Sequence, residues 1–137
     1  MYKKKFILSL FCFAFFVLSA QQKPSNQKDL IVFTALTYDY GTIEVGSPGH
    51  CEFKFTNTMK KALVISNVKP SCGCTVASWS NEPIPAGKSG VIRLSYNTKI
   101  PGTFYKTIAV TSNAKNSTVI LRIKGNVIRF QNNNINR

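Results

Sequence analysis

The stretch of sequence that decides the fold reads HCEFKFT and covers residues 50–56. Its apolar residues, Cys51, Phe53 and Phe55, alternate with polar or charged ones. Successive side chains of a β-strand point to opposite faces, so this period of two is typical of a strand with one buried face. We therefore predict a half-buried strand at this place in the chain.

The same kind of segment recurs on both sides of this strand. Strand-like composition or alternation is found at 30–37, 37–43, 63–68, 91–96, 103–111 and 118–130. No stretch after residue 20 has a persuasive helical period of 3.6. About seven short strands separated by turn residues are typical of an all-β sandwich, which is the predicted fold class.

Two residues are predicted to shape the chain rather than to carry chemistry. Gly41 interrupts the first strand region and would permit a bend at which the chain switches sheets. Asn57 directly follows the alternating strand, and its side chain would hydrogen-bond local backbone at the turn.

The N-terminus has the pattern of an export signal. Lys3, Lys4 and Lys5 precede an apolar run at 6–18, and small residues end at Ala20. The run is shorter than the roughly 20 residues that a membrane-spanning helix needs. We predict a signal peptide at 1–20, a leader at 21–29, one domain at 30–130 and a disordered tail at 131–137. The predicted location is the periplasm, the outer surface or the medium.

The chain is strongly basic. It contains 18 Lys and Arg against 5 Asp and Glu, for a formal charge of +13. Such a charge favours acidic partners, although scattered charges also fit simple solubility. An envelope protein or an anionic envelope polymer is the predicted partner, and nucleic acid is not. Five residues are candidates for a basic outer face: Lys54, Arg93, Lys106, Arg122 and Lys124.

Three cysteines remain after the predicted signal peptide: Cys51, Cys72 and Cys74. An oxidising compartment makes pairing the first question, and each of the three possible pairings leaves one thiol over. A Cys72–Cys74 bridge would close a very small ring and be easily reduced, which suits a redox element. A bridge from Cys51 would close a longer loop and stabilise by about 3 kcal/mol. The inward parity of Cys51 equally fits a small buried hydrophobe.

The same thiols raise a metal alternative. His50 and the three cysteines supply a zinc ligand set on paper, but neighbouring strand residues point to opposite faces. Cu(I) held by Cys72 and Cys74 is chemically easier, because soft thiolates suit it. Thiol oxidoreductases usually place a helix N-terminus or a cation beside the thiol, and only Lys69 lies close in sequence. We predict no cofactor and no metal, with Cys72, Cys74 and Cys51 as candidates for redox chemistry, a disulfide or Cu(I).

Enzymatic motifs are missing from the sequence. The five acids do not form the carboxylate pair of a glycosidase, and one histidine without Gly-x-Ser-x-Gly argues against a hydrolytic triad. No glycine-rich phosphate loop is present. We therefore predict that the chain has no catalytic residues and is not an enzyme.

The chain contains a set of short motifs in a fixed order: YDYGTI (38–43), VG (45–46), FKFTNT (53–58), LVI (63–65), SCGCT (71–75), IPAG (84–87), VTSN (110–113) and KG (124–125). This set resembles the exported bacterial family known as domain of unknown function 1573. The resemblance covers about residues 30–127. It implies an immunoglobulin-like sandwich, similar to Hydin-type modules, in the bacterial envelope, and it implies no reaction. Cys51 departs from it, because a plain apolar residue is expected there.

The predicted function is a non-catalytic interaction or structural module of the bacterial cell envelope. Such a module would bind either by adding a partner strand to an exposed sheet edge or by resting a basic face on an anionic polymer. The alternative is a thiol-redox or Cu(I)-binding protein that uses the Cys72-Gly73-Cys74 loop.

Overall fold

The computed structural model describes residues 29–130, which fold into eight β-strands. The strands are β1 (Ile31–Phe33), β2 (Thr37–Glu44), β3 (His50–Asn57), β4 (Ile65–Pro70), β5 (Thr75–Ser78), β6 (Ser89–Tyr96), β7 (Gly102–Ser112) and β8 (Thr118–Ile128). The predicted all-β fold class is confirmed. No helix in this range is long and apolar enough to cross a bilayer. The predicted signal peptide, most of the leader and the predicted tail lie outside the described residues.

The strands form two four-stranded sheets in the orders β1-β3-β6-β5 and β2-β8-β7-β4. β1 is antiparallel to β3 in the first sheet, and β2 is parallel to β8 in the second. The chain therefore changes sheets between Phe33 and Thr37, where Thr34 N donates to Lys54 O and Arg122 N donates to Leu36 O. This arrangement is an immunoglobulin-like sandwich.

Gly41 does not make the sheet switch, so that prediction is wrong. It lies inside β2, at the register shift between Asp39 and Thr42 opposite β8. Its φ of 64° is in the left-handed region that favours glycine, and its N–H donates to Asp39 Oδ1 at 2.8 Å. Gly41 therefore forms a bulge in β2, several residues after the chain has changed sheets.

β5 was not predicted as a strand, and its pattern explains why. Thr75 is buried, with 4% of its surface exposed, whereas Val76 is 67% exposed. The polar residue thus faces the core and the apolar residue faces solvent, which reverses the pattern by which strands are recognised. With only four residues, β5 adds one short edge to the first sheet.

The core lies between the two sheets, and β3 contributes to it as predicted. Cys51, Phe53 and Phe55 are all at least 95% buried. Phe55 lies across from Gly90 of β6, and a Cβ built on Gly90 would lie 2.5 Å from the Phe55 ring. Glycine is therefore required at this position because the aromatic ring occupies the space of a side chain.

Asn57 organises one corner of the sandwich, as the sequence predicted. It is fully buried; its amide donates to Lys61 O at 2.8 Å and to Ile84 O at 2.9 Å, and its Oδ1 accepts from Met59 N at 2.8 Å. We call this region the Asn57 corner: Asn57 with the connection 58–64 and the turn 84–88. One buried amide thus satisfies backbone groups from two separate segments.

Candidate functional site: the cysteine loop and the β7–β8 face

The cysteine loop, residues 71–74, carries the chain from the second sheet to the first. It leaves β4 at Pro70 and enters β5 at Thr75. Cys72 and Cys74 form a disulfide, with their Cα atoms 5.3 Å apart, and both residues are partly exposed. Of the three pairings that the sequence leaves open, the structure thus contains the one within the loop.

Hydrogen bonds to both sheets hold the loop independently of the disulfide. On one side Ser71 N donates to Thr107 O at 2.8 Å, and Thr107 N donates to Ser71 Oγ at 3.2 Å. On the other side Asn97 N donates to Cys74 O at 2.8 Å. The backbone at both ends of the loop would therefore keep its partners if the S–S bond were broken.

One polar group lies beside Cys72: Thr75 Oγ1 is 3.9 Å from Cys72 Sγ. β4 pairs with β7 as far as Pro70–Ile108, and hydrogen bonds between Ser71 and Thr107 extend this contact by one residue. Lys106 is the next residue of β7 beyond Thr107. Lys106 is partly buried at the inward parity of β7. The sequence pointed instead to Lys69, which lies exposed at an outward position beside Ala109.

Cys51 is a free, buried thiol in the core of the sandwich. Burial raises the pKa of Cys51, and a hydrogen bond with Tyr40 lowers it by a smaller amount. Burial also raises the pKa of Tyr40, and Cys51 adds to that effect. Both groups therefore stay protonated at neutral pH, and a protonated thiol is a poor nucleophile and metal ligand.

The structure does not assemble the zinc set considered from the sequence. His50 is exposed, whereas its neighbour Cys51 points into the core. No cluster of three or more His, Cys, Asp or Glu side chains among residues 29–130 could hold a metal ion. Cys72 and Cys74 are bonded to each other, so Cu(I) would require their prior reduction.

The predicted basic face does not exist as one surface. Lys54 and Arg93 lie on β3 and β6 of the first sheet, and Arg93 Nε is 2.8 Å from Glu52 Oε1. Arg122 and Lys124 lie on β8 of the second sheet. Lys106 has the inward parity already described. The prediction is wrong because alternation places a residue on an outer face but does not say to which sheet the strand belongs.

A smaller basic surface remains on the outside of the second sheet, and we call it the β7–β8 face. It consists of four cross-strand pairs: Tyr105–Lys124, Thr107–Arg122, Ala109–Ile120 and Thr111–Thr118. Tyr105 is 58% exposed and Ile120 is 37% exposed. Lys69 of β4 extends the face beyond Ala109.

One acid borders the β7–β8 face. Asp39 Oδ2 lies 3.3 Å from Lys124 Nζ, and both side chains are about half exposed. The Gly41 N–H and then Lys124 lower the pKa of Asp39. The carboxylate therefore offsets part of one cation and leaves Arg122 and Lys69 to dominate the charge of the face.

A family model described as "Protein of unknown function (DUF1573)" matches residues 31–127, which is most of the chain. The chain belongs to the DUF1573 family. The resemblance on which this was predicted is thereby confirmed. No curated protein matches the chain.

Solved structures share the fold of this DUF1573 chain at low sequence identity. A protein of unknown function from Porphyromonas gingivalis W83 matches with a TM-score of 0.65 and 13% identity, covering 79% of this chain and 51% of that one. The PapD-like domain 7 of human CEP192 matches with a TM-score of 0.61 and 11% identity, covering 83% and 97%. The secreted serine protease VesC from Vibrio cholerae matches with a TM-score of 0.54 and 17% identity, covering 71% and 23%.

These likenesses show an immunoglobulin-like, PapD-like fold and no more. The DUF1573 chain spans about half of the Porphyromonas protein and under a quarter of the protease. The family description names no activity. No match carries a substrate or a partner over to this chain.

The sheet edges of the DUF1573 domain are poorly suited to adding a partner strand. β1 has three residues and β5 has four, so each offers few backbone groups. β2 contains the Gly41 bulge, and β4 has a register shift between Ile65 and Asn67. Short and bulged edges are the devices by which proteins prevent edge pairing. An interaction is therefore better sought on a sheet face than at an edge.

Proposed function

We propose that this chain is an exported, non-catalytic immunoglobulin-like module of the bacterial cell envelope that binds an anionic envelope polymer through the β7–β8 face. The observation that carries the proposal is the alternation of Arg122 and Lys124 on β8 beside the exposed ring of Tyr105. The polymer is defined by its chemistry, a repeat of phosphate or carboxylate groups.

The β7–β8 face suits a long, charged partner better than a compact one. β7 and β8 have 11 residues each, the greatest length of any strand within residues 29–130. Arg122, Lys124 and Lys69 present positive charge along this surface, and Asp39 borders it at one edge. Such a field attracts a polyanion and aligns it without requiring a closed pocket.

Export is supported by the sequence alone. The cluster Lys3–Lys5, the apolar run at 6–18 and the small residue Ala20 have the order of a secretory signal. An envelope location would bring the basic chain into contact with anionic polymers. The proposed location is periplasmic or outer-surface, with the mature chain beginning after Ala20.

The experiment compares two double variants of residues 21–137 on a heparin column eluted with NaCl. Arg122→Gln with Lys124→Gln removes two charges from the β7–β8 face. Lys60→Gln with Lys61→Gln removes two exposed charges elsewhere and is the matched control. We expect the face variant to elute at clearly lower salt than the control, because close charges dominate when salt screens distant ones.

Two outcomes would contradict the proposal. Equal losses in both variants would mean that net charge alone retains the protein. No retention of the unmodified chain at low salt would exclude a polyanion and favour a protein partner. Native folding of each variant is checked by its circular dichroism spectrum.

A further inference from the structure

We infer that the Cys72–Cys74 bond is an exchangeable disulfide, which a partner dithiol reduces while the sandwich stays folded. This site adjoins the β7–β8 face, because Thr107 belongs to that face and is also hydrogen-bonded to Ser71 of the loop, and it adds an activity to the proposed function. Its substrate class is a protein or small molecule with two neighbouring thiols.

The position of the disulfide argues against a role as a structural staple. A staple stabilises by joining segments that are distant in the unfolded chain. Cys72 and Cys74 are two residues apart in one loop, and the loop is already hydrogen-bonded to Thr107 and Asn97. The bond therefore restricts the unfolded chain little and adds little to the connection between the two sheets.

Solvent exposure distinguishes the disulfide-bonded pair Cys72 and Cys74 from the free thiol of Cys51. Cys72 and Cys74 are both partly exposed, so an incoming thiolate can reach the bond without unfolding the domain. Cys51 is buried and remains free. Exchange depends on access to sulfur, and only the loop cysteines provide it.

The groups beside Cys72 would stabilise a thiolate after the bond opens. The Thr75 hydroxyl is 3.9 Å from Cys72 Sγ and can donate a hydrogen bond to it. Lys106 directly precedes Thr107 on β7; Thr107 is hydrogen-bonded to Ser71 of the loop, and the Lys106 cation would favour a thiolate at Cys72. Neither feature is needed to hold an inert disulfide in place.

The exchange balances without any other reactant. A thiolate of the partner dithiol attacks one sulfur of the pair, forms a mixed disulfide and expels the other cysteine as a thiolate with the electron pair of the broken bond. The second thiol of the partner, after losing its proton, attacks the mixed disulfide and expels the remaining cysteine. The partner leaves as a disulfide, oxidised by two electrons, and Cys72 and Cys74, after protonation, are the reduced product.

The first test measures the rate at which dithiothreitol reduces the folded chain, residues 21–137, at increasing urea concentration. Samples are quenched with N-ethylmaleimide, and the mass increase counts the released thiols. We expect two thiols to be released at a rate that does not change with urea below the unfolding transition. A rate that rises in proportion to the unfolded fraction would overturn the inference, because it would show that the bond opens only in unfolded molecules.

The second test examines Lys106 in the reduced protein. The rate of alkylation of Cys72 and Cys74 is followed against pH for Lys106→Gln and for Lys115→Gln, an exposed lysine in the β7–β8 connection that serves as the control. Loss of one cation near a thiolate should slow alkylation at neutral pH about threefold and shift the profile to higher pH. Identical profiles for the two variants would overturn the assignment of Lys106 to this site.

Discussion

The Asn57 corner and the cysteine loop are both connections between strands, but their side chains have opposite roles. At the corner, one buried amide satisfies backbone groups of the connection 58–64 and the turn 84–88. At the loop, neighbouring residues of β7 and of the segment after β6 satisfy the backbone. The folded corner therefore depends on the Asn57 side chain, whereas the backbone of the loop keeps its hydrogen bonds whether Cys72 and Cys74 are oxidised or reduced.

The largest expected effect is the loss of the Asn57 side chain. Asn57→Ala should lower the free energy of unfolding by about 3 kcal/mol or more, since buried carbonyl and N–H groups would lose their partners. Urea denaturation measures the change. Asn67→Ala, at an exposed position on β4, is the matched control and should shift stability by less than about 0.5 kcal/mol. A loss at Asn57 no larger than the control would remove the contrast between corner and loop.

The corner is also the place where sequence reasoning succeeded best. Asn57 follows a strand whose alternation is unambiguous, so its position at a turn could be read directly. Asn113 and Asn116 also bind distant backbone groups through their side chains, but no sequence pattern marks them. Asn113 binds Val64 N and Ala62 O, and Asn116 binds both backbone groups of Ile31. Their partners are about 50 and 85 residues away in sequence, a separation that local patterns do not encode.

A smaller effect is expected when the loop disulfide is removed. Cys72→Ser with Cys74→Ser should cost about 1.5 kcal/mol, the chain-entropy value for a ring of three residues. The same denaturation experiment on the reduced, unmodified chain should give nearly the same stability as the variant. A cost as large as that of Asn57→Ala would show that the disulfide is a structural staple and would weigh against exchange in the folded state.

The smallest effect concerns pH. Cys51 and Tyr40 have raised pKa values in the folded state, so the unfolded chain loses these protons first as pH rises. Their stabilising contribution is complete below about pH 8.5, the ordinary thiol value, and falls as pH increases above it. Urea midpoints measured from pH 7 to pH 10.5 should decline, and Cys51→Ala should decline less steeply. Parallel curves for the two proteins would contradict the assignment to Cys51.

The candidate site could be predicted only in part, for identifiable reasons. The three cysteines were found because their spacing and parity are visible in the sequence, but which two pair depends on a loop that joins two sheets. Lys106 was assigned to the basic face and not to the vicinity of the loop, because the loop is more than thirty residues away in sequence. The basic residues were grouped wrongly because alternation does not tell one sheet from the other, and β5 was missed because Thr75 and Val76 exchange the usual inward and outward roles.

The parallel pairing of β2 with β8 has a mechanical consequence. The described chain begins at the end of the sandwich that contains the Asn57 corner and finishes at the end that contains the cysteine loop. β2, close to the beginning, lies beside β8, close to the finish. Tension that pulls the termini apart would load the hydrogen bonds between β2 and β8 in shear, all together, rather than opening them one after another. A domain anchored at both ends would therefore resist stretching much more strongly than its thermodynamic stability alone suggests.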